Sequence, residues 1–308
     1  MRRRFAVPLI AAVGLAPWVW FHPDWEKPDA QNAVLVSSVD IPDDEKWAGG
    51  FSGVELTADG QQFYMVTDRG HIARGSFSRA ADTMTDMSFE EAQPLVDRFG
   101  QERDFPHTDA EGIALANDGR IFVSFEHAHR ILRYDSWSAP AKWPSYTRAW
   151  RALHENRGLE ALAIDETGTV FTLPEGIARG ASDALVYRRL IGPNWDQPFT
   201  IQVDPEFLPV GADFGPDGRL YLLERGIYPF GFFSRVRAVT IGDSGVLSSE
   251  TVLHTPFGHH GNLEGVAAWR DSTGALRLTM VSDNNFYPFL RSEVVEYRIE
   301  VGLALADE

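Results

Sequence analysis

The chain alternates short apolar runs with tight-turn sequences, the pattern of strands joined by hairpins. Five times an apolar run opens on a carboxylate and ends at a glycine turn, and a second run then leads to another carboxylate. The opening acids are Glu55, Glu111, Glu160, Asp213 and Glu264, spaced 56, 49, 53 and 51 residues apart. The turns are Asp59-Gly60, Asp118-Gly119, Thr167-Gly168, Asp217-Gly218 and Thr273-Gly274. The closing acids are Asp68, Glu126, Glu175, Glu224 and Asp283. A repeat of this length with strand–turn–strand content predicts an all-β fold, a β-propeller with one blade per repeat.

In the second repeat, strands are expected at 112–116, 121–125 and 130–134, with a weaker fourth near 147–153. The third repeat ends in strands at 185–189 and 200–203, the fourth at 235–241 and 250–254. The fifth supplies a strand at 294–299 and stops one short, while an isolated strand, 34–39, precedes the first repeat. That strand fits the vacancy and closes the ring, pairing an otherwise open sheet edge. Five blades use every segment. The six-bladed alternative would need a blade from 76–105 or 137–155, which lack the repeat. The acidic stretch 84–105 is expected to be partly helical, and aromatic loops at 228–233 and 284–289 read as exposed.

Residues 2–4 are arginines and residues 5–21 carry no charge. This predicts a signal peptide or an N-terminal membrane anchor over 1–21. A tether at 22–32 and a single domain over 33–308 follow, placed in the periplasm or outside the cell. The absence of cysteine excludes disulfides, thiolate metal sites and a cysteine nucleophile. A net charge of −16 weighs against nucleic-acid partners and favours cations. A monomer is expected.

A residue opening the first strand of a hairpin and one closing the second lie at the same end, opposite the turn. Both sets of acids are therefore expected on one face, the opening set around the mouth of the central channel. Clustered carboxylates repel unless a cation neutralises them. Oxygen-only donors in a roomy ring suit Ca²⁺ better than Mg²⁺. The predicted metal set is Glu55, Glu111, Glu160, Asp213 and Glu264 around a central Ca²⁺. In the competing reading, some of these acids hold blades together by accepting backbone N–H groups from the next blade.

His107, His127, His129, His259 and His260 fall on the same predicted face, with His260 and His107 the expected proton carriers. Arg69, Arg157, Arg179 and Arg225 stand beside the acids. Salt bridges along the rim compete there with a role for Arg69, Arg157 or Arg225 in holding an anionic substrate. No Gly-x-Ser-x-Gly elbow, His-Glu-x-x-His helix or phosphate-cradling glycine loop is present, so nothing points to a serine hydrolase.

The stretches Phe51-Ser52-Gly53-Val54-Glu55, Tyr64-Met65-Val66-Thr67-Asp68-Arg69-Gly70, Asp109-Ala110-Glu111-Gly112-Ile113, Val123-Ser124-Phe125-Glu126 and Asn156-Arg157-Gly158-Leu159-Glu160-Ala161-Leu162 resemble the phytase-like family, described by an esterase-like activity of phytase. The resemblance spans roughly residues 45–300. It implies an exported β-propeller that hydrolyses esters or phosphoesters. Asp213 departs from the repeat, standing where the other copies have Glu. Two functions are expected on these grounds. One is a Ca²⁺-dependent hydrolase of small anionic phosphoesters or related esters. The other is a non-catalytic envelope binding module with a structural central Ca²⁺, gripping its partner through the aromatic loops.

Overall fold

The computed structural model describes residues 32–176, 183–189, 194–229, 231–287 and 290–300. The segment 1–21, expected to be a signal peptide or anchor, and all but the last residue of the expected tether lie outside the described residues, as do Arg179, Phe230, Pro288 and Phe289. The chain is all-β, with five blades around a central channel. The first blade holds β2 (Phe51–Leu56), β3 (Gln62–Thr67), β4 (His71–Ala80) and β5 (Thr83–Pro94). The second holds β6 (Ala110–Leu115), β7 (Ile121–Phe125) and β8 (Arg130–Tyr134), and the third β9 (Leu159–Ile164), β10 (Val170–Pro174), β11 (Asp183–Arg189) and β12 (Asp196–Gln202). The fourth holds β13 (Leu208–Phe214), β14 (Leu220–Tyr228), β15 (Gly231–Gly242) and β16 (Gly245–His254). The fifth is β17 (Asn262–Arg270), β18 (Leu276–Asp283), β19 (Glu293–Ile299) and, completing it, β1 (Ala33–Asp40).

β1 pairs antiparallel with β19 from Ala33 opposite Ile299 to Asp40 opposite Glu293, so the isolated N-terminal strand closes the ring as expected. The five inner hairpins turn at Gly60, Gly119, Gly168, Gly218 and Gly274, whose φ values of 66° to 85° are the left-handed form these tight loops require.

Two expectations are corrected. The stretch 84–105 is not helical at its start: Thr83–Pro94 is one long strand, because Met84 and Met87 pack inward while its acids face outward. The expected strand near 147–153 is a single 3-10 turn over Arg148–Ala152, capped by the Thr147 hydroxyl. Trp150, 1% exposed, is driven between the second and third blades against Tyr187 and Trp195. The outer edge of β8 is met only by isolated bridges to Ser145 and Ala141.

The core is five separate apolar clusters, one at each junction between neighbouring blades. Where the inner strands converge, small residues let backbones touch. A Cβ on Gly53 would lie 2.9 Å from the Glu111 carbonyl oxygen, one on Gly112 2.5 Å from that of Glu160, and one on Gly211 2.4 Å from that of Glu264. Gly112→Ala is therefore expected to cost about 1–3 kcal/mol by overpacking, read by chemical denaturation. A loss no larger than that of Ala at an open surface position would show that the inner strands can move apart.

Candidate metal centre at the channel mouth

All five inner hairpins break register at one level. The slips lie between Phe51 and Gly53, Ala110 and Ile113, Leu173 and Pro174, Pro209 and Gly211, and Leu263 and Gly265. A bulge of this kind re-aims the extra residue. The residues at these breaks are Ser52, Glu111, Glu160, Val210 and Glu264. Ser52, Glu160, Val210 and Glu264 line one narrow neck of the channel.

The closing acids come to the same end because their backbone N–H groups are tied to residues just ahead of the inner strands. Asp68 donates to the Gly50 carbonyl, Glu126 to that of Asp109 and Glu175 to that of Gly158, each at 2.9 Å. Glu111, Glu126 and Glu160 thereby offer carboxylate oxygens within 4.8 Å of one another. Asp109, Glu126 and His127 form an adjoining group, with His127 Nε2 3.1 Å from Asp109 Oδ2. The Gly158 N–H donates to Glu126 Oε1 at 2.9 Å and fixes that carboxylate between the two groups.

Burial, then the neighbouring charge of Glu160, holds the Glu111 carboxyl well above the usual range, and burial followed by the charge of Glu175 does the same to Glu160. Asp109 is pushed up to about 6 by burial and by Glu126. Burial and Asp109 raise Asp68 to about 7, and burial and Glu264 raise Asp283 to about 8. Asp68 Oδ1 is buried with no hydrogen-bond partner. Arg225 is the cation inside this group: its guanidinium donates to Glu264, to Asn262 Oδ1 at 3.0 Å and to Glu175 Oε1 at 2.7 Å. Oxygen donors at this density, with burial raising the cost of their charge, fit a hard cation.

The five opening acids do not form one ring. Glu111, Glu160 and Glu264 stand at the bulges, but Glu55 and Asp213 lie three residues further along their strands, beside the hairpin turns at the opposite mouth. There they do what the competing reading assigned to such acids. Asp213 Oδ2 accepts the Ala268 N–H of the next blade at 2.7 Å, and Glu55 accepts the Leu115 N–H of its neighbour. Among the closing acids Glu224 is also elsewhere, fully buried between Arg235 and Arg237.

The catalytic candidates separate in the same way. His260 is buried within the fifth blade, its Nε2 2.6 Å from the Tyr297 hydroxyl and its Nδ1 3.6 Å from Glu293. That is a packing role. His107 is exposed, and its carbonyl accepts from Arg130. Arg225 is occupied by its two acids. Arg69 lies 3.1 Å over the Phe286 ring, which draws that aromatic loop inward, and Phe233 of the other loop is buried. Arg157 is exposed. The pair that sequence reasoning left unranked is His127 with Asp109, joined only by the fold.

A second feature the sequence hid lies next door. His107, Arg98, Arg103, Arg130 and Lys142 line a cavity of about 250 Å³ with Phe99 and Phe125. Phe125 lines this cavity, and Glu126, the next residue, belongs to the acid cluster. Arg130 donates to the Ala128 and His107 carbonyls and lies 4.0 Å over the Phe125 ring, and burial lowers its pKa to about 10.

The sequence pattern of one family, phytase-like (esterase-like activity of phytase), matches residues 46–286. Among curated proteins nothing matches. Several solved structures are similar in fold. The PQQ-bound aldose sugar dehydrogenase of Streptomyces coelicolor shares 13% identity over 88% of this chain and 99% of its own, with a TM-score of 0.48. A gluconolactonase of Xanthomonas campestris shares 14% over 80% of this chain and 71% of its own, at 0.44. Virginiamycin B lyase of Staphylococcus aureus shares 9% over 86% and 99%, at 0.42. Likeness this distant transfers no chemistry.

Proposed function

The chain belongs to the phytase-like family, and from that membership and the acid cluster we propose that it is an exported, Ca²⁺-dependent hydrolase of small anionic esters or phosphoesters. One observation carries the reading. Glu111, Glu126 and Glu160 converge within 4.8 Å, and neither Glu111 nor Glu160 has a basic side chain at ion-pair distance among the described residues. These three carboxylates would hold the ion, which when bound polarises a phosphoryl or carbonyl oxygen. Asp109 orients His127 through Nε2, and a carboxyl pushed to about 6 exchanges its proton in the range acid–base work needs. The cavity lined by Arg98, Arg130 and His107 receives the anionic end of the substrate, the task first assigned to Arg69, Arg157 and Arg225.

The binding-module alternative rested on exposed aromatic loops; Phe233 is buried and Phe286 lies under Arg69, while Tyr287 stays 54% exposed. Turnover of aryl phosphate and aryl ester panels, with and without chelator, decides between the two. Hydrolysis should vanish in chelator and return with Ca²⁺, and Glu160→Gln should weaken the apparent Ca²⁺ affinity by about tenfold to a hundredfold. Turnover that is absent on every substrate, or indifferent to chelator, removes the hydrolase reading.

A further inference from the structure

Buried carboxylates in this protein have counter-charges almost everywhere. Glu175 and Glu264 have Arg225, Glu224 has Arg235 and Arg237, Glu296 has Arg79 and Arg277, Asp271 has Arg277, and Glu293 has His260. Among the described residues, those without a basic side chain within ion-pair distance are Glu111, Glu160 and Asp283 at the candidate metal centre, and Glu55 and Asp213 at the other end of the channel. A buried charge without a partner is costly, so at both places the carboxyls either keep their protons or take a cation.

The second place is built differently from the first. Glu55 and Asp213, 5% and 7% exposed, reach in from the first and fourth blades at the floor of a cavity of about 840 Å³. Its walls include Leu56, Leu115, Ile164, Phe171, Phe214 and Trp269. The Phe171 and Phe214 rings pack against each other with centroids 5.1 Å apart. The blade-joining bonds alone do not account for the charge, since an amide oxygen at either position would accept the same N–H group. Two carboxylates also fall short of the six to eight oxygens Ca²⁺ takes. Further oxygen-bearing side chains of the lining, Thr57, Asn117, Asp165, Glu166 and Thr167, stand at the hairpin turns, where Asp165 is already taken by Thr167 and Thr169.

We propose that the hairpin-side mouth of the channel is a second ligand site, which takes a small organic cation with an apolar body, an amine or a quaternary ammonium. The ammonium is neutralised by Glu55 and Asp213, and the body lies on the apolar and aromatic walls, as such ligands do in aromatic-lined pockets. This site does not depend on the reading of the metal centre.

Calorimetric titration with benzyltrimethylammonium, against benzyl alcohol as the uncharged control, tests it with chelator present throughout. Saturable binding of the cation is expected, about tenfold or more tighter than the alcohol. Asp213→Asn and Glu55→Gln should each weaken it by a similar factor. Ala58→Trp, at an exposed turn position on the rim, leaves the floor intact and should obstruct entry, so the test survives if a floor variant fails to fold. Equal affinity for alcohol and ammonium overturns the proposal, as does binding that all three variants leave unchanged. Displacement of the probe by Ca²⁺ once chelator is omitted also overturns it, making the floor a metal site.

Discussion

Arg225→Met is expected to destabilise the protein by about 3–5 kcal/mol, the cost of stripping buried acids of their cation. The guanidinium is 12% exposed, and its partners Glu175 and Glu264 are 8% and 10% exposed. Methionine fills a similar volume and makes none of the three hydrogen bonds, so the loss measures charge rather than a cavity. Neutralising one acid at the same time, in Arg225→Met with Glu175→Gln, should recover part of the loss, because fewer like charges then face one another. Denaturant titrations of the two single variants and the double variant give the coupling directly. A single-variant loss within the range of an exposed pair, about 0–1 kcal/mol, would mean that water reaches these groups freely.

The second large effect is an inverted dependence on pH. In chelator, the melting temperature should fall as pH rises from about 5 to 8, opposite to the usual acid denaturation. Burial holds Asp213 and Asp68 at about 7 and Asp283 at about 8, against near 4 in the unfolded chain. Between those values the folded state binds more protons than the unfolded one, so stability decreases with rising pH. For Asp213 alone, a gap of about three units corresponds to a penalty on the order of 4 kcal/mol once the group is ionised. Ca²⁺ at a hundredfold excess over its Kd should restore about 2.7 kcal/mol, roughly 5–10 °C in a domain of this size. That rescue should grow with pH, because the ligands must be deprotonated to bind. Calorimetric scans across pH, with and without Ca²⁺, check both halves. A flat profile in chelator together with no Ca²⁺ response would reduce the acids to hydrogen-bond acceptors.

The blade count, the ring closure and the acid-bearing mouth were legible in the sequence, since hairpin turns and alternating apolar runs set them locally. The site was legible only in part. Glu55 and Asp213 stand five residues before their turn glycines, Gly60 and Gly218, whereas Glu111 and Glu160 stand eight before Gly119 and Gly168, and Glu264 ten before Gly274. Counting back from the glycines would have separated the two sets. Counting acid to acid merged them. The bulges themselves leave no composition signal, since Ser52 and Val210 occupy the same level as three glutamates. His127 and Asp109 meet across the open end of one hairpin, a pairing that counting from acid to acid passes over, while Arg98 and Arg130 come to line one cavity through tertiary packing. Met84 and Met87 were misread because an acidic strand edge and an acidic helix face look alike in sequence.

The seam between β1 and β19 leaves the two described ends of the chain side by side, the Glu300 N–H donating to the Asn32 carbonyl at 2.5 Å. Ends this close make the chain a natural subject for circular permutation. A short linker across that gap, with a new opening at the exposed Asp118-Gly119 hairpin, would keep every strand pair of the fifth blade while moving the seam into the second. The ring itself has no first blade. Which one is stitched from both termini depends only on where the chain happens to be cut.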